Sequence, residues 1–334
     1  MVPDLEISNS TGIVAIGRNE GERLIRCLDS LAGTAPYIAY VDSGSVDDSV
    51  AVSRARGLIV VELDLRIPFT AARARNSGLE ALLTANPGLD RVFFVDGDCE
   101  VESGWLEKAH YFLDRRPDVA AVSGRRRERY PEKSIYNLLQ NMEWADYPAG
   151  DAVFCGGDAL MRVAALRAVG GYRKDLICGE EPELCVRLRQ AGWKIWLLDE
   201  PMTLHDAAIY SFGQWWRRSV RTGYGFAQGA ALHGSSPQRH FVTESRRAWG
   251  WGLWLPVMIG VAVLSLGWWA LLLLLVYPVQ VFRITLHGRR SFGDNLLKAS
   301  SMTLGKFPEM LGQMRFVLDQ WRHSQTKLIE YKHK

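Results

Sequence analysis

The sequence has few cysteines and none of the spacings that bind zinc or build a disulfide framework. Its five cysteines include no C-x-x-C pair, and this usage favours a reducing, cytosolic environment. The chain also has little excess charge, because 40 basic and 37 acidic residues leave a formal net charge of +3. This balance argues against nucleic-acid binding spread over the whole surface, and no nucleic-acid partner is expected. Local runs such as Arg125, Arg126 and Arg127 are interpreted as solvated faces.

The first residues contain neither a basic region nor an apolar run, so no signal peptide is expected. Internal repeats and low-complexity segments are absent from the sequence as well. What the 334 residues do contain is 48% apolar side chains, enough to fill the core of one large domain or two modest ones.

Charged residues are absent from residues 248–282, a stretch of 35 positions with arginines on both sides. A bilayer core needs about 20 apolar residues per helix, so this stretch exceeds one span and is interpreted as membrane-embedded. Gly267 near its middle, followed by Trp268 and Trp269, favours two short helices joined by a tight turn. One long tilted helix and a shallow re-entrant loop are the alternatives. The flanking arginines place both ends, including Lys334, in the cytoplasm by the positive-inside rule.

The first part of the chain alternates continuous apolar runs with helical patterns. Such runs are typical of strands buried on both faces, and helical spacing recurs between them, as in Leu24, Cys27, Leu28 and Leu31. The alternation predicts right-handed βαβ units and a mostly parallel sheet flanked by helices. The predicted strands are residues 13–16, 38–41, 58–61, 92–95 and 119–122.

The part from about residue 130 to residue 230 is less regular. Residues 154–157, Phe-Cys-Gly-Gly, are predicted to form a strand that turns at the glycines. Short helices are predicted at residues 162–169 and 182–191. The second of these follows Glu180 and Glu181, as helix N-termini prefer acidic residues.

Polar clusters follow three of the predicted strands. Asn19 and Glu20 follow the first strand, Asp42 and Ser43 follow the second, and Asp96-Gly97-Asp98 follows the fourth. Any one cluster fits an ordinary turn or helix cap. In parallel sheets, however, ligands bind beyond the carboxyl ends of the strands. Three clusters at corresponding strand ends therefore predict one polar crevice with a function.

The two carboxylates of Asp96 and Asp98 lie in a tight turn, with Gly97 between them to allow close approach. Mg²⁺ and Mn²⁺ prefer oxygen ligands and leave positions open for substrate phosphates. Such an ion stabilises the charge that develops on a leaving nucleoside diphosphate. The turn therefore predicts a site for Mg²⁺ or Mn²⁺.

The order of motifs over roughly residues 11–225 resembles the inverting family 2 glycosyltransferases of the GT-A fold. The resemblance implies a nucleotide-sugar donor, with a UDP-sugar expected. The stretches that carry it are Val14-Ala-Ile-Gly-Arg-Asn-Glu20, Tyr40-Val-Asp-Ser-Gly-Ser-Val-Asp47, Ala74-Arg-Asn-Ser-Gly78, Phe94-Val-Asp-Gly-Asp98, Cys155-Gly-Gly-Asp158, and Gly170-Gly-Tyr172 with Gly179-Glu-Glu-Pro-Glu-Leu-Cys-Val-Arg-Leu188.

The resemblance also assigns roles to residues at the strand ends. Arg75 would lie near the ribose or the diphosphate, and Asp98 with Asp96 would hold the metal. His205 stands where some GT-A enzymes have a third metal ligand, with a structural role as the alternative. Ser43 replaces an Asp that is frequent in the family, which leaves recognition of the nucleotide base open. The residues implied to form the donor pocket are Asn19, Glu20, Asp42, Ser43, Arg75 and Asp96.

The family's catalytic base is a carboxylate in a Glu-Asp pair that opens a helix. Aligned on Leu184 and Arg187, this pair is Glu180-Glu181, with Glu181 at the base position. Glu reaches one methylene further than Asp and can still accept the proton of an acceptor hydroxyl. The alternative is that both residues only complement the helix dipole, which contributes about 0.3–1 kcal/mol.

The acceptor side is expected around Gly157 and Asp158 and beside the membrane segment. Aromatic and basic residues there would suit a lipid-linked sugar with a phosphate head, or equally plain anchoring to membrane lipid. An acceptor glycan is the other expectation. Processive family members carry Gln-x-x-Arg-Trp, whereas Arg218 stands at the position of that Trp, which weakens a polymerase hypothesis. The residues beside the membrane segment are Trp215, Trp216, Arg217 and Arg218.

The predicted organisation is an α/β GT-A catalytic domain over residues 1–230, a linker over 231–247, a transmembrane hairpin over 248–282 and an amphipathic cytoplasmic tail over 283–334. The expected location is the inner (cytoplasmic) membrane, with the catalytic domain facing the cytoplasm.

Two other classes of protein remain as alternatives. A sugar nucleotidyltransferase would open with a glycine-rich phosphate loop, whereas residues 17–20 contain one glycine and an acidic residue. A non-catalytic membrane scaffold would need none of Asp96, Asp98 and Glu181.

Overall fold

The computed structural model describes residues 10–322. The predictions for Lys334 and for the last part of the amphipathic tail lie outside the described residues. The chain divides into two compact units, Met1–Ala208 and Ile209–Lys334. Each unit is described by itself.

Within the described part of the first unit, nine strands form one mixed sheet. The order across the sheet is β3-β2-β1-β4-β8-β6-β9-β5, and β7 pairs separately with β9. The strands are β1 (Thr11–Gly17), β2 (Tyr37–Asp42), β3 (Ile59–Glu62), β4 (Arg91–Asp96), β5 (Cys99–Val101), β6 (Val119–Glu128), β7 (Gly150–Ala152), β8 (Ala159–Arg162) and β9 (Lys194–His205).

The predicted parallel core of the sheet is confirmed. β1 is parallel to both β2 and β4, and its residue Ile16 lies opposite Val41 and Asp96. The carboxyl ends of these strands therefore meet at one edge, as parallel pairing requires. β8 enters between β4 and β6 and is antiparallel to both.

The predicted strand at residues 154–157 is wrong. These residues form an irregular connection between β7 and β8. Gly156 has a φ of 80°, which breaks extended backbone. The N–H of Cys155 donates to the Glu181 side chain rather than to a neighbouring strand.

Helices cover both faces of the sheet. Side chains alternate along each strand, so Ile13 and Phe93 join one buried cluster while Val14 and Phe94 join the other. The predicted helical spacing of Leu24, Cys27, Leu28 and Leu31 is confirmed, because all four are buried in α1. In the described part of this unit the helices are α1 (Glu22–Leu31), α2 (Ser49–Ala55), α3 (Ala71–Ala85), α4 (Trp105–Arg115), α5 (Ile135–Ala145), α6 (Val163–Val169) and α7 (Glu180–Gln190), with a 3₁₀ turn at Pro131–Lys133.

In the described part of the second unit, all regular elements are helices. A capping box at Ser211 and Gln214 starts α8, and this helix continues past the predicted domain boundary at residue 230. The predicted linker over 231–247 includes the beginning of α9. The helices are α8 (Phe212–His233), α9 (Val242–Trp249), a π-helical turn (Gly250–Trp254), α10 (Leu255–Leu266), a 3₁₀ segment (Trp268–Leu275), α11 (Val276–Leu286), α12 (Phe292–Leu304) and α13 (Lys306–Trp321).

Glycines allow the backbones of α8 and α13 to touch. A Cβ added at Gly223 would lie 1.9 Å from the carbonyl oxygen of Glu309, and one at Gly312 would lie 2.0 Å from that of Val220. Any larger residue would push the two helices apart.

Two helical segments of this unit are long and apolar enough to cross a membrane, judged by length and composition. They are Val242–Leu266 and Trp268–Leu286, with 25 and 19 residues. Gly267 separates them with a φ of 83°, a conformation that favours glycine. Trp268 and Trp269 beside it are largely exposed. The turn predicted at Gly267 is confirmed, with an apolar helix on each side.

Candidate functional site

The loops after β1 and β2 hold each other through polar contacts. Asp42 accepts hydrogen bonds at Oδ2 from the N–H groups of Gly44 and Ser45, both at 2.9 Å. Asn19 adopts a left-handed φ of 55°, and its Oδ1 accepts from the Val46 N–H at 2.8 Å. The two loops therefore form one continuous rim at the carboxyl edge of the sheet, and a donor-binding role for Asn19 and Asp42 stays a prediction.

The predicted donor residue Arg75 binds two carboxylates at once. It projects from α3, is buried, and contacts Asp96 Oδ1 and Glu180 Oε1, each at 2.7 Å. A buried guanidinium between two carboxylates fixes both of them, because its donors lie in a rigid planar fork. The structure thus brings together the ends of α3, β4 and α7.

Gly157 and Asp158, which were predicted at the acceptor rim, hold Asp96 in place. Asp158 is fully buried and accepts at Oδ1 from the Asp96 N–H at 3.0 Å. Its Oδ2 accepts from the Thr203 hydroxyl at 2.9 Å. A Cβ at Gly157 would lie 2.6 Å from Asp96 Oδ2. A larger residue would displace the Asp96 carboxylate, and burial keeps Asp158 from contacting an acceptor directly.

Arg126 belongs to the site, so its interpretation as part of a solvated face is wrong. Its Nη2 lies 2.6 Å from Asp158 Oδ2 and 3.7 Å from Asp96 Oδ2. The reason is strand geometry, since successive side chains in β6 point to opposite faces. Arg127, one residue further, is about half exposed. The site residue that the sequence analysis missed is therefore Arg126, the middle one of three consecutive arginines.

Asp98 and His205, for which metal binding was predicted, lie close to each other. His205 Nε2 lies 3.5 Å from Asp98 Oδ2, and its Nδ1 lies 3.3 Å from a Glu128 carboxylate. A carboxylate behind an imidazole fixes the ring for metal binding, so this donor set fits a divalent cation. Asp98, Cys99 and His205 offer ligand atoms within 4.8 Å of one another. Asp96 is not in this group, because Arg75 and Arg126 hold its carboxylate.

Glu181 lies in a buried pocket lined by thiols. Its Oε1 accepts from the Cys155 N–H at 2.6 Å and lies 3.2 Å from Cys155 Sγ and 3.1 Å from Cys185 Sγ. The residue is 5% exposed. Burial raises the pKa of Glu181, and the hydrogen bonds from Cys155 and Cys185 oppose that rise in part. Glu180 and Glu181 thus make specific contacts beyond any interaction with the helix dipole.

The residues predicted beside the membrane segment lie in the second unit, on α8. Phe212 packs against Trp215 and Trp216, with ring centroids 5.5 Å apart in both pairs. The acceptor role of Trp215, Trp216, Arg217 and Arg218 stays a prediction.

Comparison with known proteins gives this site a chemical context. Residues 13–170 match the model of Glycosyl transferase family 2. The matched region is just under half of the chain and contains the donor-side residues from Asn19 to Asp158. Glu181 and His205 lie beyond it.

Two curated relatives match parts of the chain. The pre-mycofactocin glycosyltransferase of Mycobacterium tuberculosis (strain ATCC 25618 / H37Rv) is 32% identical in an alignment of 209 residues that covers 57% of this chain and 41% of that protein. The succinoglycan biosynthesis protein ExoA of Rhizobium meliloti is 30% identical over 116 residues, 34% of this chain and 35% of that protein. The chain thus spans about two fifths or less of the length of these relatives.

Solved structures share the fold over nearly the whole chain. The mannosyltransferase PcManGT from Pyrobaculum calidifontis, in complex with GDP-Man and Mn²⁺, superposes with a TM-score of 0.57 at 18% identity, covering 93% of this chain and 88% of that one. TarS 1-349 of S. aureus gives 0.53 at 13% identity, with 92% and 91% covered. The GT-A-like fold predicted from the sequence is confirmed.

Proposed function

We propose that this protein transfers a sugar from a nucleotide-sugar donor, expected to be a UDP-sugar, to an acceptor hydroxyl with inversion. The observation that carries this proposal is the Asp98–His205 pair beside the Arg75–Asp96–Arg126 network. All of these residues except His205 lie within residues 13–170, the region that matches a glycosyltransferase family. A relative of similar fold was solved with GDP-Man and Mn²⁺.

The donor nucleotide would occupy the rim formed by the loops after β1 and β2. Asn19 and Asp42 have their side-chain oxygens engaged by these loops, so they shape the pocket, with Glu20 and Ser43 beside them. Arg75 forms ion pairs with two carboxylates through its Nη1 and Nη2 atoms. We assign it to orienting Asp96 and Glu180, while its long-range positive charge favours the donor diphosphate.

A Mg²⁺ or Mn²⁺ ion would be held by Asp98 and His205. When bound, it supplies positive charge for the diphosphate that leaves the donor sugar. Glu128 keeps the His205 ring in place, because its carboxylate lies beside Nδ1. Arg126 and Arg75 hold Asp96 at the edge of this site.

Glu181 is the proposed base. An inverting transfer needs a group that takes the proton of the acceptor hydroxyl as the sugar is attacked. Burial raises the pKa of Glu181, and a carboxylate with a raised pKa is a stronger base once ionised. Glu180 is tied to Arg75 at 2.7 Å, so it serves as the positioning neighbour.

The apolar segments Val242–Leu266 and Trp268–Leu286 are proposed to anchor the protein to membrane lipid as a hairpin. This interpretation rests on their length, composition and exposure, and on the turn at Gly267. Arginines at both ends favour the cytoplasmic side of the inner membrane. A glycan or a lipid-linked sugar in that membrane is the expected acceptor, and the products would be polysaccharide or glycolipid.

The test is donor hydrolysis and transfer by the purified full-length protein with a panel of UDP-, GDP- and dTDP-sugars. One donor should release its nucleoside diphosphate, and Asp98→Asn should reduce that release at least about 100-fold, which is a typical loss for one charge-stabilising group. Asp118→Asn is the matched control, since Asp118 lies on the surface before the start of β6, paired with Arg116 and Lys194. Turnover of no donor, or equal turnover by Asp98→Asn and the parent, would refute the proposal.

A further inference from the structure

A cavity of about 240 Å³ lies in the first unit beside the connection between β7 and β8. Its walls are mainly aromatic and aliphatic, and two of its lining residues carry a positive charge. None of the roles assigned above uses this space. The side chains that matter here are those of Trp144, Tyr147, Phe154, Leu197, Met202 and Arg126.

The cavity shares its walls with the candidate site. Cys155 lines the cavity and donates its N–H to Glu181 at 2.6 Å. Arg126 lines it too and lies 3.7 Å from Asp96. The ring of Trp144 meets that of His205 edge to face, with centroids 4.9 Å apart. A molecule in this cavity would therefore be one residue away from the proposed base, through Cys155, and one residue away from the proposed metal ligand, through Trp144.

The charges around the cavity do not favour a phosphate. Arg125 donates to Asp199 at 2.7 Å, and Arg126 pairs with Asp158 at 2.6 Å. Both guanidinium groups thus already carry a carboxylate partner, which cancels much of their field. Asp151 adds an exposed carboxylate to the lining. A phosphate head would be repelled by Asp151 and would compete with two existing ion pairs.

The shape and chemistry of the walls favour a flat apolar ring. Tyr147 and Phe154 meet edge to face, with centroids 5.0 Å apart, and Trp144 adds a third ring. Aromatic rings stack or meet edge to face with gains beyond simple area burial. An apolar cavity of about 150 Å³ already holds benzene. The cavity here is large enough for one substituted aromatic ring and too small for a long polyprenyl chain.

We propose that this cavity binds an aromatic ring on the acceptor and so presents the neighbouring hydroxyl to Glu181. The proposal rests on the proposed function, because it assigns the acceptor class of the same site. It assigns acceptor selection to residues of the first unit, instead of the residues on α8 that were predicted to meet a lipid-linked sugar.

The test compares 4-nitrophenyl and methyl glycosides of one sugar as ligands of the full-length protein in detergent, without donor. The aryl glycoside should bind about tenfold or more tightly, because burying a ring removes apolar surface from water. Tyr147→Ala should erase the difference, and Tyr147→Phe should keep it. Val153→Trp should also erase it, because Val153 lines the cavity and is half exposed. Ile135→Trp is the control, since Ile135 is equally exposed on α5 outside the lining.

Three results would overturn the proposal. The first is equal binding of the two glycosides by the parent protein. The second is an aryl preference that survives both Tyr147→Ala and Val153→Trp in proteins with unchanged thermal unfolding. The third is tighter binding of a polyprenyl phosphate that Val153→Trp abolishes, which would put a lipid in the cavity. Donor hydrolysis is measured separately on the same variants, so a failure of glycosyl transfer is distinguishable from a failure of the aryl assignment.

Discussion

The substitution Glu181→Gln separates the two consequences of burying this carboxylate. Gln keeps the size of the side chain and an oxygen that can still accept from the Cys155 N–H, at 2.6 Å in the parent. It removes the proton acceptor. Loss of a general base costs about 10²- to 10⁴-fold in rate, so kcat should fall by that factor while donor binding persists.

The same substitution that lowers kcat should raise the free energy of unfolding relative to the parent, and this gain should grow as the pH rises. The pKa of Glu181 is raised in the folded protein because burial disfavours the charged form. Between the unfolded and folded pKa values the folded state binds more protons, so the free energy of unfolding decreases as the pH rises through that window. Glu181→Gln cannot ionise and should escape this decrease. The variant should therefore gain stability over the parent as the pH rises.

Both effects can be measured on one preparation. Single-turnover transfer gives kcat, nucleotide titration gives donor affinity, and thermal unfolding in detergent at a series of pH values gives the stability difference. Glu183→Gln is the comparison, because Glu183 is buried in the same helix but pairs with Arg187 at 2.7 Å. A Glu181→Gln protein with more than about a tenth of the parental kcat, well above the usual loss, would show that another group takes the proton.

Four further outcomes are expected. Excess EDTA should abolish transfer reversibly, with Mn²⁺ or Mg²⁺ restoring it; full activity in EDTA would contradict the assignment of Asp98 and His205. Arg126→Ala should lower the free energy of unfolding by about 3 kcal/mol, because it leaves the buried Asp158 carboxylate without its arginine partner. Arg127→Ala should change it by under about 0.5 kcal/mol. Equal effects of the two variants in chemical denaturation would refute the assignment of Arg126 to the site. Gly223→Ala should destabilise the protein by about 3 kcal/mol or more, because the new Cβ forces α8 away from α13. Gly293→Ala, with no atom within 4 Å of the new Cβ, should stabilise it by about 0.5–1 kcal/mol. Thermal unfolding of the two variants measures both changes, and equal shifts in Tm would contradict the prediction. Single cysteines near residues 230 and 330, in a background without the native five, should both resist a membrane-impermeant thiol reagent in intact cells; labelling at 330 but not at 230 would establish a single span.

The sheet and the strand-end residues could be predicted because they depend on local patterns. Asp96 and Asp98 follow a buried apolar run, and the pairing of β1 with β4 then fixes where they lie. His205 is distant in sequence, and only the resemblance to GT-A enzymes implied that it belongs with Asp98. The pairing of Asp98 with His205 follows from β5 lying beside β9.

The partners of these residues could not be predicted in the same way. Arg126 was hidden among three arginines, and only the alternation of β6 separates it from its neighbours. The thiols around Glu181 come from a loop and a helix that are 30 residues apart, and no periodicity links them. Gly157 resembled a turn residue, yet a Cβ at this position would lie 2.6 Å from Asp96 Oδ2. Such contacts depend on tertiary packing.

The antiparallel insertion of β8 between β4 and β6 has a consequence for synthesis of the chain. β1 to β4 are complete by Asp96, and they pair only with one another until β8 arrives at Ala159–Arg162. A nascent chain grows from its N-terminus at about 5–20 residues per second, so the residues of β8 are synthesised several seconds after those of β4. During that interval Asp96 lacks Asp158, and Asp98 lacks His205. The candidate site is thus assembled after the strands that carry Asp96 and Asp98. A chain released before β9 is made would expose these two carboxylates without His205 to contact Asp98.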